Sequence, residues 1–459
     1  MADNFYDNDE FRELLSSFEK TERTGNGRFF DPDDLLDIAD YYCMHGKVDK
    51  ARRIVDDVIV TFSDSDDALL MKSRMQLTYD HNPGEAERTM EQVADKGNIE
   101  YKYIKAEIML TRRQDAKAAE LLQQIYDVEE DDREEVAEEI ARIYAEYDCL
   151  EMASAWLGKC GEEDNDRKKE IKAMVLIDNG KLEEGQKILN ELIDGDPYET
   201  AYWNLLAKAQ LMDGDIEDSI VSSEYSLAIN PNDDEAALNK GNALYQLGNY
   251  DEAARYFRLF STLRPDEEGG DMMLGMAMIA QNRLQEGVEH LKKAEEKISI
   301  DSKNTGEIYR ELIVALCHLG RSDEALAYIE RSDKAEWNSA EKDIMRGLAL
   351  MSKGEYEKGQ KCYEKALKDS DYSAQTYLRI AMALYESRLY VSAYLTTKSL
   401  LEICGDELPE VYAYHALFCL YIENEKEYIK YRKIAFEKSP HAAEMLLGNV
   451  KPHKKNNKL

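Results

Sequence analysis

The chain has 459 residues and a formal net charge of −35, with 43% hydrophobic and 33% charged residues. This apolar content excludes wholesale disorder, and the negative charge disfavours nucleic acids and anionic membranes, whose phosphates it repels. The charge either keeps a large surface in solution or selects basic partners, and both interpretations stay open. Only eight prolines interrupt the chain, which favours long helices.

Residues 1–31 form an N-terminal segment with one predicted helix. Phe11, Leu14, Leu15 and Phe18 follow the i, i+3, i+4, i+7 spacing of an apolar helix face. We predict that this helix caps the repeats that follow, and the alternative is a segment that docks elsewhere on the protein. Thr24 to Gly27 predicts a flexible joint. The N-terminus lacks the basic flank and apolar core of a secretory signal.

A 34-residue period follows. It is marked by Pro197, Pro231 and Pro265, by Gly180, Gly214 and Gly248, and by Asn282 in phase; after a four-residue insertion it resumes at Gly320 and Gly354, with Arg388 and Ile422 in register. Glycine or asparagine accepts the left-handed conformation that ends a helix, and proline stops the next one. The period therefore predicts repeated helical hairpins.

Small residues accompany each predicted turn. One lies seven positions before the turn and another five positions after it, as Gly241 and Ala253 do around Gly248. A large side chain at either position would hold two crossing helices apart. The pattern therefore predicts that the two helices of each hairpin pack closely.

These residues resemble the tetratricopeptide repeat family. Residues 234–267 resemble its 34-residue signature, with the marked or adjacent sites held by Gly241, Tyr245, Gly248, Tyr250, Ala253, Phe257 and Pro265. The preceding unit carries Trp203, Leu206, Ala207, Gly214 and Pro231. The resemblance implies an all-α, right-handed superhelical solenoid of antiparallel helix pairs with about twelve repeats. We place the repeat starts near residues 32, 67, 99, 134, 166, 200, 234, 268, 306, 340, 374 and 408.

The repeats divide by regularity. Residues 32–165 are predicted to be degenerate repeats and residues 166–441 regular ones. Residues 442–459 follow, with a short apolar stretch that predicts a second capping helix at Ala442, Ala443, Met445, Leu446 and Leu447. The basic tail from Lys451 to Leu459 is expected to be disordered.

The resemblance also implies a binding surface, because partners of this family usually lie on a concave face lined by the first helix of each repeat. The positions that match are Asn204, Lys208, Asn242, Tyr245, Met272, Met276, Ile279, Arg310 and His318. They combine amides, cations for carboxylates and adaptable methionines. Met272 and Met276 belong either to this groove or to the core, whereas Met273 and Met278 are expected in the core.

No catalytic motif is found, and neither end is long enough to form a further domain with its own core. We therefore expect neither an enzyme nor a cofactor. No CxxC pair occurs among the seven cysteines. We expect no histidine to have a second histidine or a cysteine at ligand spacing, so the seven histidines are predicted to be surface or packing residues and no metal site is expected. Free thiols and the lack of a long apolar stretch predict a cytoplasmic protein.

The expected function is a non-catalytic scaffold whose concave groove binds a peptide or a partner helix. The expected partner is a protein or peptide, not nucleic acid or membrane, and the chain is expected to be a monomer. The alternative is a structural protein that assembles with itself through its ends or through apolar patches.

Overall fold

The computed structural model describes residues 6, 8–24, 29–44, 46–62, 64–80, 82–129, 132–161, 165–298, 302–332, 337–404 and 407–448. The predicted joint at Gly25 to Gly27 and the basic tail at 451–459 lie outside these residues. Within them all regular structure is helical, and none of the helices is long and apolar enough to span a membrane. The chain forms two compact units, Met1–Pro231 and Asn232–Leu459.

Unit 1 contains the first thirteen helices of the described residues. They are α1 (Asp9–Thr24), α2 (Pro32–Met44), α3 (Val48–Thr61), α4 (Asp66–Thr78), α5 (Pro83–Met90), α6 (Ile99–Thr111), α7 (Asp115–Val128), α8 (Arg133–Glu146), α9 (Leu150–Leu157), α10 (Asp166–Asp178), α11 (Leu182–Gly195), α12 (Thr200–Asp213) and α13 (Ile216–Ile229).

Unit 2 contains the other thirteen helices of the described residues. They are α14 (Asp234–Gln246), α15 (Tyr250–Leu263), α16 (Glu268–Ala280), α17 (Leu284–Lys297), α18 (Thr305–His318), α19 (Ser322–Arg331), α20 (Ser339–Lys353), α21 (Tyr356–Asp369), α22 (Ala374–Glu386), α23 (Tyr390–Cys404), α24 (Val411–Tyr421), α25 (Glu425–Lys438) and α26 (Pro440–Leu447).

Helices α2 to α25 pair as hairpins, from α2 with α3 to α24 with α25. Within each unit the second helix of a hairpin also packs on the first helix of the next hairpin, and most neighbouring first helices contact each other. This paired all-α packing confirms the predicted fold class. The largest difference between a predicted repeat start and a first helix is at the last repeat, where α24 begins at Val411 rather than near 408.

Glycine serves the hairpins in two ways. Gly320 adopts a φ of +73° at a turn, which a residue with a side chain rarely adopts. Gly287 lies at a helix crossing, where an added Cβ would be 2.6 Å from Cγ1 of Ile279 and 2.9 Å from the carbonyl oxygen of Gly275. The last turn differs from the prediction: the left-handed residue is Glu423 (φ +58°), not Ile422, because the last hairpin begins later than its phase predicts.

One further helix covers each end of the hairpin series. Phe11 and Phe18 of α1 are buried in one cluster with Ile38 and Tyr42 of α2, so α1 packs on the first hairpin. At the other end α26 packs against α24 and α25, and its Ala443 and Leu447 are buried. In unit 2, buried side chains from α16 to α26 form one continuous core.

Candidate protein-binding face

Helix α18 has one polar stripe beside its buried face. Its buried residues include Ile308 and Leu312. The residues that stay exposed or half-buried on the stripe are Glu307, Arg310, Glu311, Val314 and His318. Their spacing of three or four residues places them on one side of a helix with 3.6 residues per turn. The stripe therefore lies on the surface formed by first helices, here called the first-helix face of unit 2.

Charged side chains interact along this face across three successive first helices. Glu341 of α20 accepts hydrogen bonds from Nε of Arg310 on α18 at 3.4 Å and from Nε of Arg379 on α22 at 3.3 Å. Arg379 makes a second, closer contact with the same carboxylate through a terminal guanidinium nitrogen. Glu341 is thus held between two arginines, with 14% of its side chain exposed.

His318 adds a longer connection. Its Nε2 lies 3.0 Å from Oε2 of Glu386, at the end of α22, and 3.2 Å from the carbonyl oxygen of the same residue. The hydrogen bond to the Glu386 carboxylate raises the pKa of His318, although burial opposes the shift. The pair joins two first helices that are separated in sequence by a complete hairpin. We call Arg310, His318, Glu341, Arg379 and Glu386 the α18–α22 cluster.

Glu311 lies beside this cluster without a cation of its own. In the described part of the chain it has neither a hydrogen bond nor an ion pair, and it is half-buried. Burial raises its pKa first, and the charges of Glu307 and Glu386 raise it further, while Arg310 and His318 oppose the shift. Glu307 is exposed and also lacks an ion pair among the described residues. Carboxylates therefore outnumber cations on this face.

Aromatic rings lie within electrostatic range of the same carboxylates. Burial raises the pKa of Tyr245 on α14 to about 12, with smaller contributions from Tyr250, Glu311 and Glu307. The rings of Tyr245 and Tyr250 meet edge to face at 5.1 Å. The face thus combines surplus carboxylates with tyrosine surface, a composition that suits cationic side chains.

Unit 1 has a related arrangement on its own first helices. Glu107 of α6 lies 2.9 Å from Nη1 of Arg74 on α4 and 3.5 Å from Nη2 of Arg142 on α8, and only 2% of its side chain is exposed. Burial raises the pKa of Glu107, and the two arginines oppose the shift. On α10, burial raises the pKa of Glu170 to about 7, with Glu199 adding to the shift. No described residue forms a hydrogen bond or ion pair with Glu170.

The predicted site residues are distributed over both units. In unit 1, Lys208 on α12 is exposed. In unit 2, Asn242 and Tyr245 on α14 are half-buried, as are Met276 and Ile279 on α16. Arg310 and His318 belong to the α18–α22 cluster, where each already has a carboxylate partner. The function of these residues in binding stays a prediction.

Two of the predicted groove residues are not on the surface. Met272 is 6% exposed because it lies in the unit 2 core with Leu291 and Ile308, so its assignment to a groove is wrong. Asn204 is also 6% exposed and offers little surface to a partner. Met278 is buried, as expected, whereas Met273 is half-buried against the core.

The sequence interpretation missed Glu311, Glu341, Arg379 and Glu386. One signal for Glu311 was present, because it lies one residue after Arg310 and seven before His318, and so shares their helix face. The other three residues lie on later helices, and their partners become visible only when successive hairpins are packed.

These features first define a class: an all-α protein of repeated helical hairpins with a charged first-helix face. Residues 224–268 and 238–304 match a family model described as tetratricopeptide repeat, and residues 344–368 match another of the same description. The chain therefore contains tetratricopeptide repeats within residues 224–304 and 344–368. Proteins of this family typically mediate protein–protein interactions and are generally non-catalytic.

Individual relatives are distant. Protein FlbA of Caulobacter vibrioides is 25% identical over 187 residues, which make up 41% of this chain and 30% of FlbA. The APC/C hetero-tetramer Cut9-Hcn1 has a chain that is 15% identical, with a TM-score of 0.38 and coverage of 96% of this chain and 93% of that one. MamA from Desulfovibrio magneticus RS-1 is 17% identical, with a TM-score of 0.34 and coverage of 38% and 97%.

Proposed function

We propose that the chain is a non-catalytic scaffold that binds a basic segment of a partner protein, as an extended peptide or a helix, on the first-helix face of unit 2. One observation carries this proposal: Glu311 is half-buried, its pKa is raised by burial and by neighbouring carboxylates, and no described residue forms a hydrogen bond or an ion pair with it. A lysine or arginine from a partner would supply the missing cation.

The proposal explains how binding gains free energy at this face. A cation beside Glu311 favours the ionised carboxylate and lowers its pKa, so binding and deprotonation of Glu311 are linked. Affinity for a basic segment is therefore expected to rise as the pH rises through the pKa of Glu311. Both arginines of the α18–α22 cluster form their ion pairs with Glu341, and neither forms one with Glu311.

The test uses display of random 15-residue peptides against the full chain and against the variant Glu307→Gln/Glu311→Gln. We expect the wild-type protein to select peptides rich in lysine and arginine. The double variant should bind the selected peptides about 10-fold more weakly, which corresponds to ~1.4 kcal/mol. The matched control is Glu357→Gln/Glu364→Gln, which removes the same charge from exposed positions of the second helix α21.

Two results would contradict the proposal. Selection of neutral or acidic peptides by the wild-type chain would remove the basis for a basic partner. An equal loss of affinity in the control would assign the effect to net charge instead of to the first-helix face. Equal helical circular dichroism of all variants establishes that the comparison concerns binding.

A further inference from the structure

A set of three metal-ligating side chains lies on the last hairpin of unit 2. His415 and Cys419 are one helical turn apart on α24, and Glu427 follows on α25. One ligand atom from each residue lies within 4.8 Å of the other two. Nε2 of His415 is 3.7 Å from Oε2 of Glu427, and Sγ of Cys419 is 3.9 Å from the same oxygen. The three atoms therefore face a common point.

The hydrogen bonds of Thr397 determine which nitrogen of His415 faces this point. The Thr397 hydroxyl lies 2.8 Å from Nδ1 of His415, and 3.2 and 3.1 Å from the carbonyl oxygens of Ala393 and Tyr394. A carbonyl oxygen only accepts, so we assign the hydroxyl hydrogen to a carbonyl and the Nδ1 hydrogen to a bond with the hydroxyl oxygen. This leaves a lone pair on Nε2, the form in which histidine binds metals.

Nε2 of His415 forms no hydrogen bond with any of the described residues. The side chain is fully buried, and Nε2 is without a hydrogen-bond partner in that part of the chain. A buried polar atom without a partner costs roughly 1–3 kcal/mol, so its retention calls for a ligand. Cys419 is equally buried and offers a thiol whose nearest acceptor is the distant Glu427 oxygen.

Neighbouring rings hold the three residues in place. The Tyr394 hydroxyl donates to Oε2 of Glu427 at 2.8 Å, and its ring stacks on His415 with centroids 5.1 Å apart. The rings of Tyr431 and His415 pack in a T-shaped arrangement, with their centroids 4.6 Å apart. The orientation of the imidazole and of the carboxylate is therefore set before any ligand arrives, as in sites with ordered outer-shell partners.

We propose that His415, Cys419 and Glu427 bind a divalent transition-metal ion, with Zn²⁺ as the ion that fits this mixed donor set. Zinc bonds of about 2.0–2.3 Å in tetrahedral geometry separate neighbouring ligand atoms by roughly 3.3–3.8 Å. The separations of 3.7 Å and 3.9 Å from Oε2 of Glu427 are close to this range. Cys419 loses its proton to solvent on binding, and the resulting thiolate and the Glu427 carboxylate balance the charge of the ion.

The three residues leave the fourth tetrahedral position to a water molecule, since Glu427 is half-buried and opens the site to solvent. No metal site was expected from the sequence, although His415 and Cys419 are only four residues apart. That spacing alone does not predict a metal site, because Glu427 comes near the two residues only through the packing of α24 on α25.

The test is titration of the full, reduced chain with Co²⁺, followed by displacement with Zn²⁺. Binding at this site produces a sulfur-to-cobalt charge-transfer band at one equivalent, which carboxylates on the acidic surface cannot produce. We expect Cys419→Ser to abolish the band and His415→Gln to weaken binding by more than 10-fold, because even outer-shell changes cost about 10–100-fold. Thr397→Val should weaken binding and keep the band, since it removes only the group that orients His415.

Cys362→Ser is the matched control, because Cys362 is a half-buried free thiol elsewhere in unit 2. A band that persists in Cys419→Ser, or that disappears in Cys362→Ser, would overturn the proposal. The absence of any thiolate band in the wild-type chain would overturn it as well. Circular dichroism and the Thr397→Val variant, which keeps all three ligands, separate loss of binding from loss of fold.

Discussion

The first-helix faces of the two units use the same charge pattern at different depths. In unit 1, Glu107 is placed between Arg74 and Arg142 and is almost completely buried. In unit 2, Glu341 is placed between Arg310 and Arg379 closer to solvent. Each set joins three successive first helices through one carboxylate.

The deeper burial of Glu107 than of Glu341 suggests different functions for the two sets of charges. A carboxylate as deeply buried as Glu107 has lost its hydration and interacts strongly with its arginines. Glu341 is 14% exposed against 2% for Glu107, so water screens the unit 2 set more and the set contributes less to stability. We infer that the unit 1 set holds its hairpins together, whereas unit 2 keeps its charges accessible beside the unpaired Glu311.

Glu107→Ala should give the largest effect. It removes the buried carboxylate between Arg74 and Arg142, which keep Glu100, Glu139 and Glu146 as ion-pair partners. Because both cations stay compensated, we expect the unfolding free energy to fall by about 2 kcal/mol. Glu341→Ala, the matched change in unit 2, should cost about 1 kcal/mol or less. Urea unfolding of the full chain measures both, and hydrogen exchange locates the loss. Equal losses in the two variants would remove the distinction between the units.

Glu170→Gln tests the unpaired carboxylate of unit 1. Its folded-state pKa, about 7, lies above the ordinary value of 4.5, so the folded state binds the proton more tightly than the unfolded state does. The resulting stabilisation is fully present below pH 4.5 and is lost as the pH rises through about 7. Relative to its effect at pH 5, Glu170→Gln should therefore stabilise the chain by roughly 1 kcal/mol at pH 8. Urea unfolding of the wild type and the variant at the two pH values measures this change, and a difference between the two proteins that is the same at both pH values would refute it.

Arg310→Glu and Lys208→Glu should give the smallest and most clearly separated effects. Arg310→Glu places a second carboxylate against Glu341 and should cost about 1 kcal/mol. Lys208 is exposed and has no ion pair among the described residues, so Lys208→Glu should change stability by less than about 0.5 kcal/mol. Thermal unfolding of both variants is the measurement. A large loss in Lys208→Glu would show that its cation serves the fold.

Much of the fold could be predicted because its signals are local. Gly320 has the left-handed conformation that its phase predicts, and Gly287 lies at a crossing that a side chain would obstruct. Both requirements arise within a single hairpin, so the period of the sequence records them. In the last turn the left-handed residue is Glu423, one position after the predicted residue, because the last hairpin departs from the period.

The candidate site was less predictable because its partners come from different hairpins. His318 and Glu386 are 68 residues apart and meet only through the packing of three hairpins. The burial of Met272 likewise depends on how α16 is rotated against its neighbours, and residue type does not reveal that rotation. The family resemblance placed Arg310 and His318 of α18 on the expected binding face, but their carboxylate partners on later helices became visible only in the packed structure.

The bond from His318 to Glu386 also limits how this chain can change its length. Hairpin arrays gain or lose members by duplication or excision of whole 34-residue segments, since every junction resembles the next. Excision of the α20–α21 hairpin would leave Arg310 and Arg379 without Glu341 and would change the spacing of α18 and α22 that the His318–Glu386 contact spans. The hairpins in this part of the chain are therefore not interchangeable, because the contact between His318 and Glu386 depends on the single hairpin that lies between them in the sequence.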